Sequence, residues 1–451
     1  MNRLFVLSLV SCLLTGCGIY RKYSRPDMEI EAQYRYAENT ADTATLASLS
    51  WREFFTDTCL QSLIEQGLRQ NTDLQVARLK VEEAEAVLLN ARLSYLPSLS
   101  FSPEASVERY AGNTSETYHV AASASWELDI FGKTTNAKRG ARAALESSRD
   151  YARAIQTRLI ATIASSYYML LMLDRQLDIG ERTLESWEKS VRTLEALKYG
   201  GEANDAAVLQ ARANRMTLES SVLALRKNIV VAENGLAALL AMPSQRIERG
   251  VWSETEFPES VSVGIPIQLL AKRPDVRRAE HNLAQAFYAT HAARAAFYPD
   301  ITLSGIFGWT NNGGGVIVNP AHWLLRALGS LTQPLFNRGA NIANLKISEA
   351  RQEEAKLQFR QSILDAGKEV NDALVQFQIS KRQLEIGEQK IRTLHETVHK
   401  TELLMRYSPA TYLEVLTAQQ ALLDAEQQQS QYRFDHIQGF INLYHALGGG
   451  V

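Results

Sequence analysis

Apolar residues recur every seven positions through two long stretches of the chain. In the later one, Ile363, Val370, Phe377, Leu384, Ile391, Val398 and Met405 form one column, and three places further on stand Ala366, Ala373, Ser380, Gly387, Leu394 and Thr401. Large side chains fill the first column and mostly small ones the second. The earlier stretch gives Ile163, Leu170, Leu177, Leu184 and Val191 at the same spacing. A strict seven-residue period predicts left-handed supercoiled helices, and small residues in the second column let neighbouring backbones approach. All eleven prolines lie outside 137–199 and 340–406, so each of these runs predicts one unbroken helix of roughly 90 to 100 Å at 1.5 Å per residue.

Between the helical stretches the period changes to two. Leu99, Phe101, Pro103, Ala105 and Val107 interleave with Ser98, Ser100, Ser102, Glu104, Ser106 and Glu108. Val120, Ala122, Ala124, Trp126, Leu128 and Ile130 interleave with His119, Ser123, Ser125, Glu127 and Asp129. Ile301, Leu303, Phe307 and Trp309 repeat the scheme, whereas a fourth strand at about 322–334 is less regular. Strands of about ten residues with one apolar face suit a tilted membrane-spanning sheet. Tyr95, Phe131, Phe297, Tyr298, Trp323 and Phe336 near their ends suit an aromatic girdle. A half-buried sheet on a soluble core is the other reading of the same pattern. If the sheet faces lipid, four strands cannot close a barrel and open edges would strand backbone amides, so several chains must share one barrel.

The chain is one unit written twice. Asn71-Thr72-Asp73-Leu74-Gln75-Val76-Ala77 and Ala91-Arg92-Leu93-Ser94-Tyr95-Leu96-Pro97 return 202 residues later as Arg273-Pro274-Asp275-Val276-Arg277-Arg278-Ala279 and Ala293-Arg294-Ala295-Ala296-Phe297-Tyr298-Pro299. Leu177-Asp178-Ile179-Gly180-Glu181 and Val208-Leu209 with Ala211 return 207 residues later as Leu384-Glu385-Ile386-Gly387-Glu388 and Val415-Leu416 with Ala418. A loop difference of about five residues accounts for the two offsets. Each copy predicts a helix, two strands, a long helix, a turn and a helix. The expected organisation is a signal at 1–16, a periplasmic segment at 17–58, a first repeat at 59–250, a linker at 251–265 and a second repeat at 266–451.

The first residues decide the compartment. Arg3 precedes the apolar run Leu4 to Leu14 and then Leu14-Thr15-Gly16-Cys17. The run is too short to span a membrane and reads as a secretion signal. Small residues before the cysteine form a lipobox, with Cys17 as the acylated mature N-terminus. An ordinary signal that happens to contain cysteine is the alternative. Gly18, in place of an aspartate that retains some lipoproteins at the inner membrane, favours the outer membrane. Cys12 would leave with the signal, so of three cysteines only Cys59 stays free, and no internal disulfide is available. A formal net charge of −2 argues against a nucleic-acid surface.

His395-Glu396-Thr397-Val398-His399 matches the zinc-protease pattern. Val398 belongs to the heptad column, however, and the aligned segment from Trp187 to Val191 and Arg192 carries no histidine. A solvated histidine pair is the preferred reading, beside a weak surface metal site. No phosphate loop follows a strand, and Gly448-Gly449-Gly450 follows a helix that it would terminate. No catalytic role or cofactor is implied, and any energy for transport would come from a partner.

At this point the chain resembles the TolC-like outer membrane factors, in particular their lipoprotein efflux branch. The residues that carry the likeness are Ala124-Ser125-Trp126-Glu127-Leu128-Asp129-Ile130-Phe131-Gly132-Lys133, Arg273 to Glu280, Phe297-Tyr298-Pro299, and Tyr412-Leu413-Glu414-Val415-Leu416-Thr417-Ala418-Gln419. The resemblance implies mixed α and transmembrane β structure. Four strands per chain would contribute to a trimeric twelve-stranded barrel, continuous with a periplasmic helical barrel. It implies a homotrimer in the outer membrane, lipid-anchored, serving an inner-membrane transporter of RND or ABC type through a periplasmic adaptor, with no nucleic acid. It also implies a gate at the helical turns. Carried over by position, Arg406, Tyr407 and Glu414 match the gate pattern, while Thr417 replaces its second acid and Ala207 an acid of the first turn. Glu414 also reads as a solvated acid at a helix start. The turn Ser408-Pro409-Ala410-Thr411 is shorter than usual and lacks the habitual glycine. Two other functions fit parts of the pattern. A periplasmic adaptor would carry one helical hairpin where this chain has two, and a structural coiled-coil lipoprotein would leave the amphipathic strands unexplained.

Overall fold

A computed structural model describes residues 21–27, 49–252, 273–310, 323–405 and 412–450. Their elements run in the order α1 (Trp51–Phe54), α2 (Thr58–Gln70), α3 (Thr72–Leu93), β1 (Ser98–Tyr110), β2 (Asn113–Leu128), α4 (Lys133–Tyr199), α5 (Asp205–Leu239), α6 (Pro274–Ala295), β3 (Asp300–Thr310), β4 (Trp323–Thr332), α7 (Ala340–Met405) and α8 (Tyr412–Ala446). The two long helices contain 67 and 66 residues. The chain divides into two compact units, Met1–Glu29 with Arg78–Tyr151 and Asp275–Ser362, and Ile30–Ala77 with Ala152–Pro274 and Ile363–Val451. Each unit draws on both halves of the sequence.

In the first unit the four strands form one antiparallel sheet in the order β1-β2-β3-β4. Residues directly opposite across such a ladder share a face. Leu99, Ala124, Gly305 and Ala327 make one row, and Phe101, Ala122, Phe307 and Leu325 the next. Leu99, Phe101, Leu325 and Leu331 on this face are 66 to 80% exposed, an apolar surface left uncovered by the described residues. The opposite face carries Ser100 against Ser123, whose hydroxyls bond at 2.7 Å, and Ser106 against Thr117 at 2.5 Å. The register also explains the irregular fourth strand. Leu325, Ala327, Gly329 and Leu331 continue the apolar face, but Leu328 stands on the other face beside Arg326 and blurs the alternation.

The strand-to-helix corner uses the segment Trp126 to Lys133. Asp129 caps α4 by accepting from the amides of Thr134 and Thr135, each at 2.8 Å. Trp126 donates its indole N–H to the carbonyl of Tyr95 at 2.9 Å. Lys133 lies 2.8 Å from Glu127 and 3.4 Å from Asp300, joining β2 to β3. Phe131 stacks on Tyr298 with ring centroids 4.9 Å apart.

In the second unit the heptad columns decide which side chains are buried. Ile163, Leu170, Val191, Ile363, Val370 and Phe377 are buried, as are Ala366, Ala373 and Ser380. Beyond Phe377 the same two columns stay the least exposed positions of α7: Gly387 is buried, and Leu384, Ile391, Leu394, Val398, Thr401 and Met405 are half-buried. Backbones approach closely where a residue is small. A Cβ on Gly439 of α8 would stand 3.1 Å from the amide nitrogen of Phe377. A core of Phe54, Phe55, Leu60, Ile64, Tyr167, Leu170, Leu236, Phe440 and Tyr444 fills the unit, with Phe54 stacked on Tyr444 at 4.0 Å. Residues after α5 are strapped to this core by Arg249, which pairs with Asp174 at 2.5 Å and Glu233 at 2.5 Å. Tyr167 donates to Asp57 at 2.7 Å and accepts from the amide of Gly250 at 3.1 Å.

The duplication is legible in single hydrogen bonds. Asn71 donates Nδ2 to the carbonyl of Leu239 at 2.9 Å, and Arg273 donates Nη1 to the carbonyl of Ala446 at 2.9 Å. The donors are 202 residues apart and the acceptors 207, the two offsets of the sequence repeat. The extra five residues fall between the starts of β3 and α7, since β1 and β3 begin 202 apart and α4 and α7 207 apart. Both contacts tie the end of one helix to the start of another. Arg273 also pairs with Glu369 at 2.6 Å. Asn71→Ala should therefore cost about 1 kcal/mol through a lost cap and Arg273→Ala about 3 kcal/mol through lost charge-assisted bonds to the buried Ala446 carbonyl and to Glu369. Denaturant unfolding followed by helical circular dichroism measures both, and equal losses would contradict the assigned bonding.

Candidate functional site

The helical turns are built from strong local signals. At the end of α4 the amide of Glu202 reaches the carbonyl of Leu197 at 2.9 Å and that of Gly201 reaches Lys198 at 3.0 Å, with Gly201 at φ +78°. This is a Schellman closure, which needs the left-handed residue that glycine supplies without strain. Asn204 then caps α5 by accepting from the amide of Ala207 at 2.8 Å. Lys198 pairs with Asp205 across the turn, and Arg212 Nε with Glu195 at 3.0 Å. The lysine holds the Asp205 carboxyl below its ordinary range. Ala207, the position lacking the expected acid, thus serves the cap through its backbone.

Among the described residues, the end of this hairpin is closed by a small apolar cluster. Val191 and Leu194 of α4, Val208 and Ala211 of α5, and Tyr412 and Leu416 of α8 are buried together, with Ala203, Ala207 and Met405 against them. The first hairpin therefore grips the first turn of α8. Tyr412 is buried, and its hydroxyl has no hydrogen-bond partner among the described residues. Desolvation pushes its phenol up to about 12, so it stays protonated. Val191 was visible as a heptad residue. Tyr412 and Leu416 appeared in the sequence only within the motif that carries the family likeness, and Leu416 also in the internal repeat.

The expected gate residues divide into two groups. Glu414 stands exposed in the first turn of α8, while Arg406 and Tyr407 lie outside the described residues, as does the lipidation candidate Cys17. Thr417, in the place of the second acid, donates its hydroxyl to the carbonyl of Leu413 at 2.8 Å. It serves its own helix rather than carrying charge. His395 and His399 are exposed on α7, and His395 Nε2 lies 3.5 Å from Glu426. No group of three or more metal-ligating side chains forms among the described residues.

Comparison with known proteins adds a family to this geometry. The model of the outer membrane efflux protein family matches two segments, 63–242 and 265–449, whose starts are 202 apart and ends 207 apart. The chain belongs to the outer membrane efflux protein family. It is 30% identical over 447 residues to the cation efflux system protein CusC of Escherichia coli K12, covering 98% of each chain. It is 30% identical over 464 residues to SilC, a probable outer membrane lipoprotein of Salmonella typhimurium, covering 100% of this chain and 99% of SilC. It superposes on the crystal structure of CusC, which concerns folding and transmembrane channel formation, with a TM-score of 0.87, 29% identity, and coverage of 95% and 99%.

The protein is an outer membrane efflux channel, and its family forms homotrimers that work with other efflux pump components. The sheet is accordingly one third of a twelve-stranded barrel. The adaptor and structural-lipoprotein alternatives do not share this family. At the turns, Tyr412→Ala should cost about 3 to 5 kcal/mol, the usual loss for removing a buried aromatic side chain. Tyr412→Phe should be near neutral, because the hydroxyl it removes is buried without a described partner. Limited proteolysis of the turn at 200–204 separates them: rapid cleavage is expected for the alanine variant alone.

Proposed function

We propose that this chain is the exit duct of a tripartite efflux system, passively conducting solutes delivered by an inner-membrane transporter of RND or ABC type through a periplasmic adaptor. The observation that carries the proposal is the open four-stranded sheet with one apolar and one hydroxyl-rich face. Apolar side chains suit lipid, while serines, threonines and Arg326 line a wet interior fit for small hydrated solutes. Drugs, metal ions and other small molecules are all within that class. CusC is named for cation efflux, which makes metal cations the first cargo to test. Cys17 carries the lipid anchor. The barrel holds the protein in the membrane independently, so Cys17→Ser should lose fatty-acid label but keep the trimer. Metabolic labelling reads this, and label persisting on the serine variant would remove the assignment.

The gate lies at the turns, where Tyr407 and Glu414, with Arg406 as charge partner, hold the closed state until the adaptor engages. A carboxylate repeated by threefold symmetry near the pore axis repels its own copies unless a cation or donor neutralises it. The family pattern favours a net closing role for the pair. Tyr407→Phe with Glu414→Ala should raise conductance in a planar bilayer without adaptor. Unchanged conductance from an intact trimer would move the gate to the shortened turn around Pro409.

A further inference from the structure

Near their turns the two helical hairpins make equivalent contacts and then part ways at one place. In the first hairpin, Arg212 Nε of α5 pairs with Glu195 of α4 at 3.0 Å. At the positions 207 residues later, Gln419 of α8 donates to Glu402 of α7 at 3.1 Å. The two hairpins therefore share one register here. Seven residues further from the turn, the first hairpin holds a fixed cation. Arg215 of α5 lies 3.5 Å from Glu188 of α4 and 3.4 Å from Glu219 of its own helix. The second hairpin departs from this pattern: Leu422 stands in the place of Arg215, His395 in that of Glu188 and His399 in that of Arg192, while Glu219 returns as Glu426. The carboxylate of α8 is retained and the guanidinium beside it is gone. All these residues belong to the second unit.

What stands around the vacated charge is a set of metal donors. His395 and His399 are four apart on α7, where Cβ atoms lie about 5 to 6 Å apart on one face, the spacing at which a helix offers two imidazoles to one ion. That face is the one beside α8, since His395 Nε2 lies 3.5 Å from Glu426 and Glu402 bonds to Gln419. His399 sits on α7 between those two contacts. A separation of 3.5 Å is too long for a hydrogen bond. It is close to the roughly 3.3 Å between two donors that each stand about 2.0 to 2.1 Å from one tetrahedral ion. Arg392, one turn earlier on α7, is engaged with Glu388 at 3.6 Å and does not supply the missing charge. The described side chains are not gathered around one point, but His399 is exposed, so its ring can turn toward an ion without disturbing the seam.

We infer that His395, His399 and Glu426 bind a divalent transition cation of the zinc, nickel or copper class, which takes in the second hairpin the place that Arg215 holds in the first. Imidazole is the donor those ions favour, and water completes the coordination. The ion joins α7 to α8 as Arg215 joins α4 to α5. This goes beyond the channel reading and does not depend on which solute the channel carries.

The test titrates Zn2+ alone, by calorimetry, into the trimer in detergent, made without a polyhistidine tag and stripped with a chelator. Wild type should bind one more ion per chain than His395→Ala with His399→Ala, a variant that keeps every other histidine and Cys59. Each single histidine variant should weaken binding by at least the roughly 10- to 100-fold that loss of an outer-shell partner costs. Glu426→Gln should weaken it by about tenfold or more, and Leu422→Arg, which restores the guanidinium, should weaken it through like-charge repulsion. Equal binding by wild type and the double variant would overturn the inference. Undiminished affinity in Glu426→Gln would also overturn it, because the site would then be a chelate on one helix, and undiminished affinity in Leu422→Arg would show that the ion does not take the arginine's place. Mass in detergent checks each variant for the trimer; if the double variant loses it, His399→Ala alone decides by the same criterion. Bilayer conductance reads the channel assignment separately.

Discussion

A backbone amide or carbonyl left unpaired in lipid costs several kcal/mol, and the sheet exposes two edges, β1 and β4, with no strand among the described residues to pair them. That constraint organises the rest. The apolar face is not covered by any core among the described residues, since Leu99, Phe101, Leu325 and Leu331 stay largely exposed. Closure must come from other copies. Once copies are required, the short strand segments, the hydroxyl ladder on the other face and the tight corner from Trp126 to Lys133 acquire a common purpose. The corner turns the chain from a sheet into a helix within a few residues, and Asp129 meets the helix amides that would otherwise stand open there.

Duplication relieves part of the demand for symmetry. A hairpin with heptad seams needs a neighbour on each side to bury its apolar columns, and one chain with two hairpins supplies half of those neighbours itself. The cost is that the two copies meet different surroundings, so they must be similar in the seams and free to differ elsewhere. Asn71 and Arg273 illustrate both parts. They bond to equivalent carbonyls, yet one does so as a neutral helix cap and the other as a buried cation with Glu369 as counter-ion.

Periodicity made most of this fold readable. Heptads located α4 and α7, because a buried seam imposes a spacing that survives any choice of apolar residue, and alternation located β1, β2 and β3. The fourth strand was blurred by Leu328 on the polar face, where side-chain position follows from pairing with β3 and not from the strand's own pattern. The turn cluster was missed for a related reason. Val191, Leu194, Val208, Ala211, Tyr412 and Leu416 come from three helices, and no local spacing declares that three segments meet. The family resemblance drew attention to Glu414, but what the described residues assemble beside it is apolar packing around a tyrosine.

The size of that cluster bears on how the turns can work. Among the described residues, six buried ones close the end of the first hairpin, against twenty-six in the main core of the same unit. The ion pairs Lys198–Asp205 and Glu195–Arg212 beside it are solvent-exposed, so they add little to stability. Local opening free energies follow buried apolar contact, and the turns therefore open before the core does. Few contacts that break together are what the gate proposed at these turns would need. The seams are fully buried only nearer the main core, around Ile163, Leu170, Ile363, Val370 and Phe377, so opening at the turns need not spread into it.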